Sequence, residues 1–122
     1  RWVNTAQTAG RTVTKANALA WGGFLMLTDS KAKADALMEE HEWFWKEWFI
    51  PHGQRMPNVL IGTADDLADK IGRAHDRLGF NELFLMFGQG HLAPEQNEEE
   101  INEFIAKVAP RFSTRDEHGT WV

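Results

Sequence analysis

Five histidines and no cysteines limit the chemistry that this chain can carry out. His41 and Glu42 begin the pattern of a helical zinc site, which needs a second histidine four residues after the first so that both imidazoles share one face. Trp45 occupies that position. The other histidines are dispersed, at His52, His75, His91 and His118. Their spacing predicts no metal site, and the lack of cysteine excludes disulfides, thiolate zinc sites and cysteine nucleophiles.

Aromatic residues crowd one short segment, which reads WFWKEWF from Trp43 to Phe49. Such a cluster could be a stacking platform for bases or for a ring cofactor. The competing interpretation is a helix face that packs against a sheet, because the rings recur at helical spacing and few basic residues alternate with them. The spacing favours packing, so we expect the wide aromatic face to lie on the core.

Gly22 and Gly23 precede an apolar run, FLML over 24–27, within a segment from Thr12 to Thr28 that is typical of a buried strand. Glycines inside a strand have two interpretations. They mark a bulge or make room for a bulky neighbour, or they let a flat ligand approach the backbone. Both interpretations stay open at the level of sequence.

The first half of the chain carries two predicted helices around this strand. Residues 1–9 read as the end of a helix, and Gly10 supplies the left-handed residue that often follows. A long helix is expected from about Ser30 to Phe49, with Thr28, Asp29 and Ser30 as possible N-caps. Proline at position 51 closes it, and residues 51–59 form a loop.

The second half predicts helix, strand and helix. Thr63 and Asp66 form a capping box, and Gly79 ends the helix that they begin. The unbroken apolar run LFLMF over 83–87 is typical of a parallel strand that is buried on both faces. A last helix begins at Pro94 and ends before Pro110. We expect the acidic residues 98–100 to form its solvated face, and residues 113–122 to be an aperiodic tail.

Composition describes one globular domain. The 122 residues are 43% hydrophobic, which is enough for a single core. The formal charge is −5 and the 13 basic residues are scattered, so nucleic acid and membrane surfaces are not expected as partners. We expect a cytoplasmic location. The first residue is arginine, which suggests a fragment of a longer protein.

Four stretches, in this order and spacing, resemble the C-terminal third of the luciferase-like flavin monooxygenases, the family of bacterial luciferase and the alkanesulfonate monooxygenases. They read FLMLTDSKAKADA over 24–36, IGTADD over 61–66, LGFNELFLMF over 78–87 and FIAKVAPRF over 104–112. The resemblance covers nearly the whole chain up to about Phe112. It implies an α/β fold in which residues 1–112 are the C-terminal segment, about two βα units, of a (β/α)8 barrel.

The resemblance also implies an activity. Reduced flavin, often supplied by a separate reductase, reacts with O2 to give a peroxyflavin that oxygenates a small organic substrate, and the protein positions the cofactor. The cofactor would be FMN, with a deazaflavin as the variant. The chain supplies only two strands, so six strands must come from a partner, the remainder of the barrel.

The site residues that the resemblance implies lie on the flavin side of the barrel. The catalytic histidine and most phosphate contacts of the family belong to earlier strands, so no catalytic residue is assigned in this sequence. The long loop that acts as a lid in luciferase is replaced by the short segment 50–60. Candidates for contact with the cofactor are Gly88, Gln89, Gly90 and His91, together with Trp21 and Gly22.

A second function of another class stays open. In this alternative the chain is a non-enzymatic α/β interaction module, or a fragment without activity of its own, whose exposed strand edges and aromatic helix bind another protein. Flavin binding discriminates between the two.

Overall fold

The fold is a mixed α/β arrangement around three parallel strands. The computed structural model describes residues 2–12, 20–88 and 92–112. The strands are β1 (Ala20–Leu27), β2 (Val59–Gly62) and β3 (Glu82–Met86), and β1 lies between the other two. The prediction of an α/β class is confirmed. The prediction of two strands is wrong, because the four-residue run VLIG, placed between a proline-containing loop and a helix cap, also pairs with β1.

Four α-helices accompany the strands: α1 (Trp2–Thr8), α2 (Lys31–Phe44), α3 (Ala64–Leu78) and α4 (Pro94–Lys107). Their predicted ends are largely confirmed. The Ser30 hydroxyl accepts the N–H of Lys33 at the start of α2. Thr63 and Asp66 form a full capping box at the start of α3. Pro94 is the first residue of α4, where its missing N–H costs no helical hydrogen bond.

The aromatic end of α2 departs from the prediction. Instead of continuing to Phe49, the α-helix widens at Trp45–Phe49 into a π-helical turn, which a 3₁₀ turn (Ile50–His52) follows. This change of period moves side chains off the core face. Trp48 is 61% exposed, and the ring of Trp45 packs on that of Phe49 with centroids 4.4 Å apart. The expectation that the whole aromatic face lies on the core is therefore wrong.

The main core lies between one face of the sheet and helices α3 and α4. Its buried members come from all three layers: Leu25, Leu60, Leu67, Ala68, Ile71, Phe80, Phe104 and Val108. Trp21, Leu83, Leu85 and Phe87 are partly buried against them. Burying each large aliphatic side chain stabilises the fold by roughly 1.5–3 kcal/mol, so this layer dominates the stability of the sheet.

Helix α2 covers the opposite face of the sheet only in part. Met26, Ala34 and Ile61 form a second, smaller core there, which covers β1 and β2. The β3 half of this face is left open, and Phe84 is 62% exposed. Helices thus lie on both faces of the sheet and β1 is central. In a (β/α)8 barrel, by contrast, helices lie on one face only and each strand pairs with its predecessor and its successor.

The two edges of the sheet differ. Toward β1, the carbonyl groups of Asn58, just before β2, and of Gly62, at its end, accept hydrogen bonds from the N–H groups of Phe24 and Thr28. The carbonyl of Ile61 therefore faces outward, where the Lys70 ammonium donates to it at 2.5 Å. A lysine at a sheet edge opposes the addition of another strand. Among the described residues no strand pairs with the outer edge of β3.

Candidate functional site

The candidate site is the crevice at the carboxyl ends of β1 and β3. After β1 the chain turns through Thr28–Ser30 into α2 on one face of the sheet, whereas after β3 it turns into α4 on the other face. Two neighbouring parallel strands whose connections leave toward opposite faces form a topological switch point. Ligands of open parallel sheets bind in the crevice that this divergence creates.

Glu100 of α4 points into this crevice and is 6% exposed. Its Oε1 accepts a short hydrogen bond from the backbone N–H of Leu27, the last residue of β1. Its Oε2 is buried and has no hydrogen-bond partner among the described residues. Burial raises the pKa of the Glu100 carboxyl, the Leu27 N–H lowers it, and the carboxylate of Glu103 raises it. A neutral carboxyl here can donate a proton in a hydrogen bond from Oε2.

Asn97 lies one helical turn before Glu100 on the same face of α4 and packs over Gly88. A Cβ atom at Gly88 would lie 2.9 Å from Asn97 Nδ2 and 3.0 Å from Asn97 Oδ1, so this position requires glycine. Gly88 also has a φ of +71°, in the left-handed region that favours glycine. Asn97 Oδ1 is buried and, within the described ranges, unpartnered. The crevice therefore holds one free acceptor beside one potential donor.

Sequence reasoning missed Glu100, which it assigned to a solvated acidic face. That assignment is right for residues 98 and 99, which are exposed, and wrong for Glu100. A signal was present, since Glu100 precedes Phe104 and Val108 by four and eight residues and so belongs to the buried stripe of α4. A carboxyl group within an apolar stripe is a candidate for function because burial is costly for its charged form.

Of the predicted cofactor contacts, Gly88 alone is placed at this crevice by the described residues. Gln89, Gly90 and His91 lie outside the described residues. Trp21 and Gly22 belong to the amino end of β1. In register, Gly88 would lie beside Met26, five residues along β1 from Trp21, which corresponds to about 16 Å. The predicted set therefore divides between the two ends of the sheet.

Trp21 packs as a core residue at the amino end. Its ring stacks on Phe80 with centroids 5.2 Å apart and planes inclined by 20°. It also borders a shallow, solvent-open depression of about 830 Å³, which is lined by residues of α3 and by Trp21 itself. This depression lies away from the strand ends where parallel sheets bind ligands, so geometry favours the carboxyl-end crevice.

Gly22 meets the neighbouring strand rather than open space. A Cβ atom at Gly22 would lie 1.7 Å from the carbonyl oxygen of Phe84, and one at Gly23 would lie 2.1 Å from that of Asn58. The Asn58 side-chain amide also donates to the Gly22 carbonyl at 2.9 Å. The interpretation that the glycines make room for a neighbour is supported, and the neighbour is protein backbone.

His41 is the second buried titratable group. It is 7% exposed on α2, with its ring 6.3 Å from that of Phe24 and 6.1 Å from that of Trp45. Its Nε2 is buried without a partner among the described residues. Burial lowers the pKa of the His41 imidazole, and the neighbouring Glu42 carboxylate opposes the effect. This histidine is neutral at physiological pH and lies outside the carboxyl-end crevice.

Within residues 2–12, 20–88 and 92–112, no group of three or more His, Asp or Glu side chains is arranged to hold a metal ion. No helix in the same ranges is long and apolar enough to cross a membrane. Neither protein-family models, nor curated proteins, nor solved structures give a significant match to this chain.

Proposed function

We propose that this chain is the C-terminal part of a luciferase-like, reduced-flavin-dependent monooxygenase, and that its carboxyl-end crevice forms one wall of the flavin site. The observation that carries the proposal is the crevice itself. Two adjacent parallel strands end there, Gly88 lets the Asn97 side chain approach the backbone after β3, and Glu100 and Asn97 present buried polar atoms. These features supply both the location and the polar groups that a heterocyclic cofactor requires.

The cofactor would supply the difficult chemistry, since reduced flavin activates O2 and transfers an oxygen atom to a small organic substrate. The chain would orient the ring and keep water from it. FMN delivered by a reductase is the proposed form, and a deazaflavin is the variant. Catalytic side chains would come from the remainder of the barrel, which is the proposed protein partner.

The sheet imposes a condition on this proposal. As the last two strands of a barrel, β1 and β3 pair side by side in the required parallel sense. The preceding barrel strand would need the other edge of β1, which β2 occupies over Phe24–Leu27. The proposal therefore requires β2 to leave that edge when the barrel is complete. The outer edge of β3 needs no such change, because no described strand covers it.

Flavin titration tests the proposal. FMN and a 5-deazaflavin are added in turn to the 122-residue chain while flavin fluorescence is followed, and bound samples are analysed by amide hydrogen exchange. We expect quenching, with new protection at the amide of Gly88. Protection around Trp21 and Arg73 instead would place the ligand in the amino-end depression. If neither flavin binds, alone or with the upstream barrel part of the native gene product, the proposal fails.

The alternative, an interaction module that binds an added strand, is favoured by one specific observation. Phe84 is exposed in the middle of the free edge strand β3, and that strand carries no lysine or proline to discourage pairing. Sedimentation velocity over a concentration series should show self-association that Phe84→Lys abolishes. Ile105→Lys is the matched control, since Ile105 is 58% exposed on α4. A wild-type chain that stays monomeric throughout would count against this alternative.

A further inference from the structure

The buried carboxyl group of Glu100 and the buried Oδ1 atom of the half-buried Asn97 have complementary hydrogen-bonding capacity. One carboxyl oxygen of Glu100 is fixed by the Leu27 N–H, which leaves Oε2 to carry the proton when the group is neutral. Asn97 Oδ1 offers an acceptor. Residues three apart on a helix lie about 5–6 Å from each other between Cβ atoms, so the two groups can contact one small planar ligand together.

We infer that Glu100 and Asn97 read the edge of a planar lactam or imide ring, in which a carbonyl group stands beside a ring N–H. The Glu100 Oε2–H would donate to the ring carbonyl, and Asn97 Oδ1 would accept the ring N–H. The pyrimidine edge of a flavin has this arrangement, so in its flavin form the inference rests on the proposed function and specifies which edge of the cofactor the chain holds.

Three observations support the pairing. A donor next to an acceptor matches a carbonyl beside an N–H and mismatches a carboxylate or a phosphate, which present acceptors only. Both side chains project from one rigid helix, which fixes their separation. Glycine at position 88 removes the side chain that would otherwise stand over Asn97. Buried polar atoms left unpaired are costly, so a ligand that pairs both of them gains affinity from this site.

Protonation of Glu100 makes the binding depend on pH. Among the described residues, Glu103, one turn further along α4, is the other titratable side chain that shifts its pKa, and the backbone N–H of Leu27 is the group of β1 that does so. A carboxylate at Glu100 would repel the ring carbonyl. Affinity for the ring should therefore fall as pH rises through the raised pKa of Glu100, and Glu100→Gln, which donates at every pH, should bind with no such dependence.

The test uses lumiflavin, N3-methyl-lumiflavin and uracil as probes of the full chain. Lumiflavin and uracil carry the free edge, whereas the N3-methyl compound lacks the ring N–H. We expect N3-methylation, Asn97→Leu and Glu100→Leu each to weaken lumiflavin binding about tenfold or more. Glu100→Gln should retain affinity, and Glu99→Gln, at an exposed neighbour, should change nothing. Circular dichroism checks that each variant is folded, and Glu100→Gln and the N3-methyl probe remain decisive if Glu100→Leu does not fold.

The outcomes separate this inference from the proposed function. The inference is overturned, while flavin binding stands, if lumiflavin and its N3-methyl derivative bind equally. The same holds if the affinity for lumiflavin is unchanged by Asn97→Leu and by pH. If flavins do not bind but uracil binds with the expected dependence on both side chains, the inference stands and the flavin function fails. If none of the three probes binds, the inference is overturned, and the proposed function fails with it when flavin also does not bind in the presence of the upstream barrel part.

Discussion

At the scale of single residues, Gly22 matters because the backbone of the neighbouring strand β3 occupies the space that a side chain would need. Gly22 lets the Phe84 carbonyl approach to a point where a Cβ atom would be 1.7 Å away. No rearrangement of a side chain can relieve such an overlap, because the opposing atom belongs to the backbone of β3. The pairing of β1 with β3, and with it the carboxyl-end crevice, depends on this glycine.

Gly22→Ala should therefore destabilise the chain severely, by on the order of 3 kcal/mol, because β3 must shift away from β1. Gly72→Ala is the matched control. Nothing lies within 4 Å of a Cβ at Gly72, and alanine favours the helical state by roughly 0.5–1 kcal/mol. Urea unfolding measures both. A Gly22→Ala variant as stable as the wild type would show that β1 and β3 do not approach each other this closely.

The buried carboxyl of Glu100 gives a second prediction, on pH. Its pKa in the folded chain is raised above the ordinary value of 4.5. The stabilisation that the neutral Glu100 carboxyl contributes is thus fully present below the pKa of the unfolded chain. It is lost as pH rises through the higher pKa of the folded chain. Glu100→Gln still accepts the Leu27 N–H and does not titrate. Its advantage in free energy of unfolding over the wild type should grow as pH rises from 4.5 through the raised pKa of the folded chain.

Urea unfolding across this range, with Glu99→Gln in parallel, measures the effect. Glu99 is exposed on the same helix, so its variant should follow the wild type at every pH. A constant difference between wild type and Glu100→Gln would mean that Glu100 is as solvated in the folded chain as in the unfolded one.

At the scale of elements, α3 has the most completely specified beginning. The Thr63 hydroxyl accepts the Asp66 N–H, and the Asp66 carboxylate accepts both the Thr63 N–H at 3.1 Å and its hydroxyl at 2.9 Å. These bonds to Thr63 lower the pKa of the Asp66 carboxyl. The capping box fixes where β2 ends and α3 begins, and thereby sets how Leu67 and Ile71 meet the sheet.

Thr63→Ala should lower the free energy of unfolding by about 1 kcal/mol, since the Asp66 N–H loses its acceptor and the Asp66 carboxylate loses the hydroxyl donor. Thr63→Ser keeps the hydroxyl and should recover most of that loss. Thermal or urea unfolding of the three proteins provides the comparison. Equal losses in both variants would point to the threonine methyl group rather than to the cap.

The sequence predicts those elements whose signals are local. Caps, the glycine that ends α3 and the proline that begins α4 are all confirmed, because each depends on neighbouring residues only. Strand β2 was missed since four residues carry too little periodicity to stand out. The exposure of Trp48 departs from the prediction because a π-helical turn changes the helical period there, whereas Trp43 and Phe44 are exposed within the regular α-helix. The pairing of Glu100 with Leu27 joins residues 73 apart, which no local pattern encodes.

At the scale of the whole molecule, two buried titratable groups act in opposite directions. Glu100 anchors α4 on one face of the sheet and disfavours high pH, whereas His41 anchors α2 on the other face and disfavours low pH. Each face is thus weakened at a different end of the pH scale. As pH rises above 4.5 Glu100 loses its stabilising contribution, whereas His41 loses its own as pH falls below 6.5, so the two contributions change with pH in opposite directions.

The contribution of His41 to stability is testable by acidification. Its folded pKa is lowered below the ordinary value of 6.5, so the unfolded chain binds a proton first and stability is lost as pH falls below that value. His41→Met, which cannot titrate, should lose less stability on acidification than the wild type. His75→Met, at an exposed histidine, is the control and should behave as the wild type does. Identical acid profiles for all three proteins would refute the assignment.

The bond between Glu100 and Leu27 also has a consequence for synthesis on the ribosome. The last amide of β1 emerges 73 residues before the carboxyl group that accepts its hydrogen. At translation rates of roughly 5–20 residues per second, that amide waits roughly 4–15 s for its partner. Until α4 arrives, the strand that organises the sheet lacks the part of its cover that α4 supplies on one face, and it lacks the acceptor at its end. The nascent chain therefore passes through a long interval in which β1 is exposed to chaperones and to other chains.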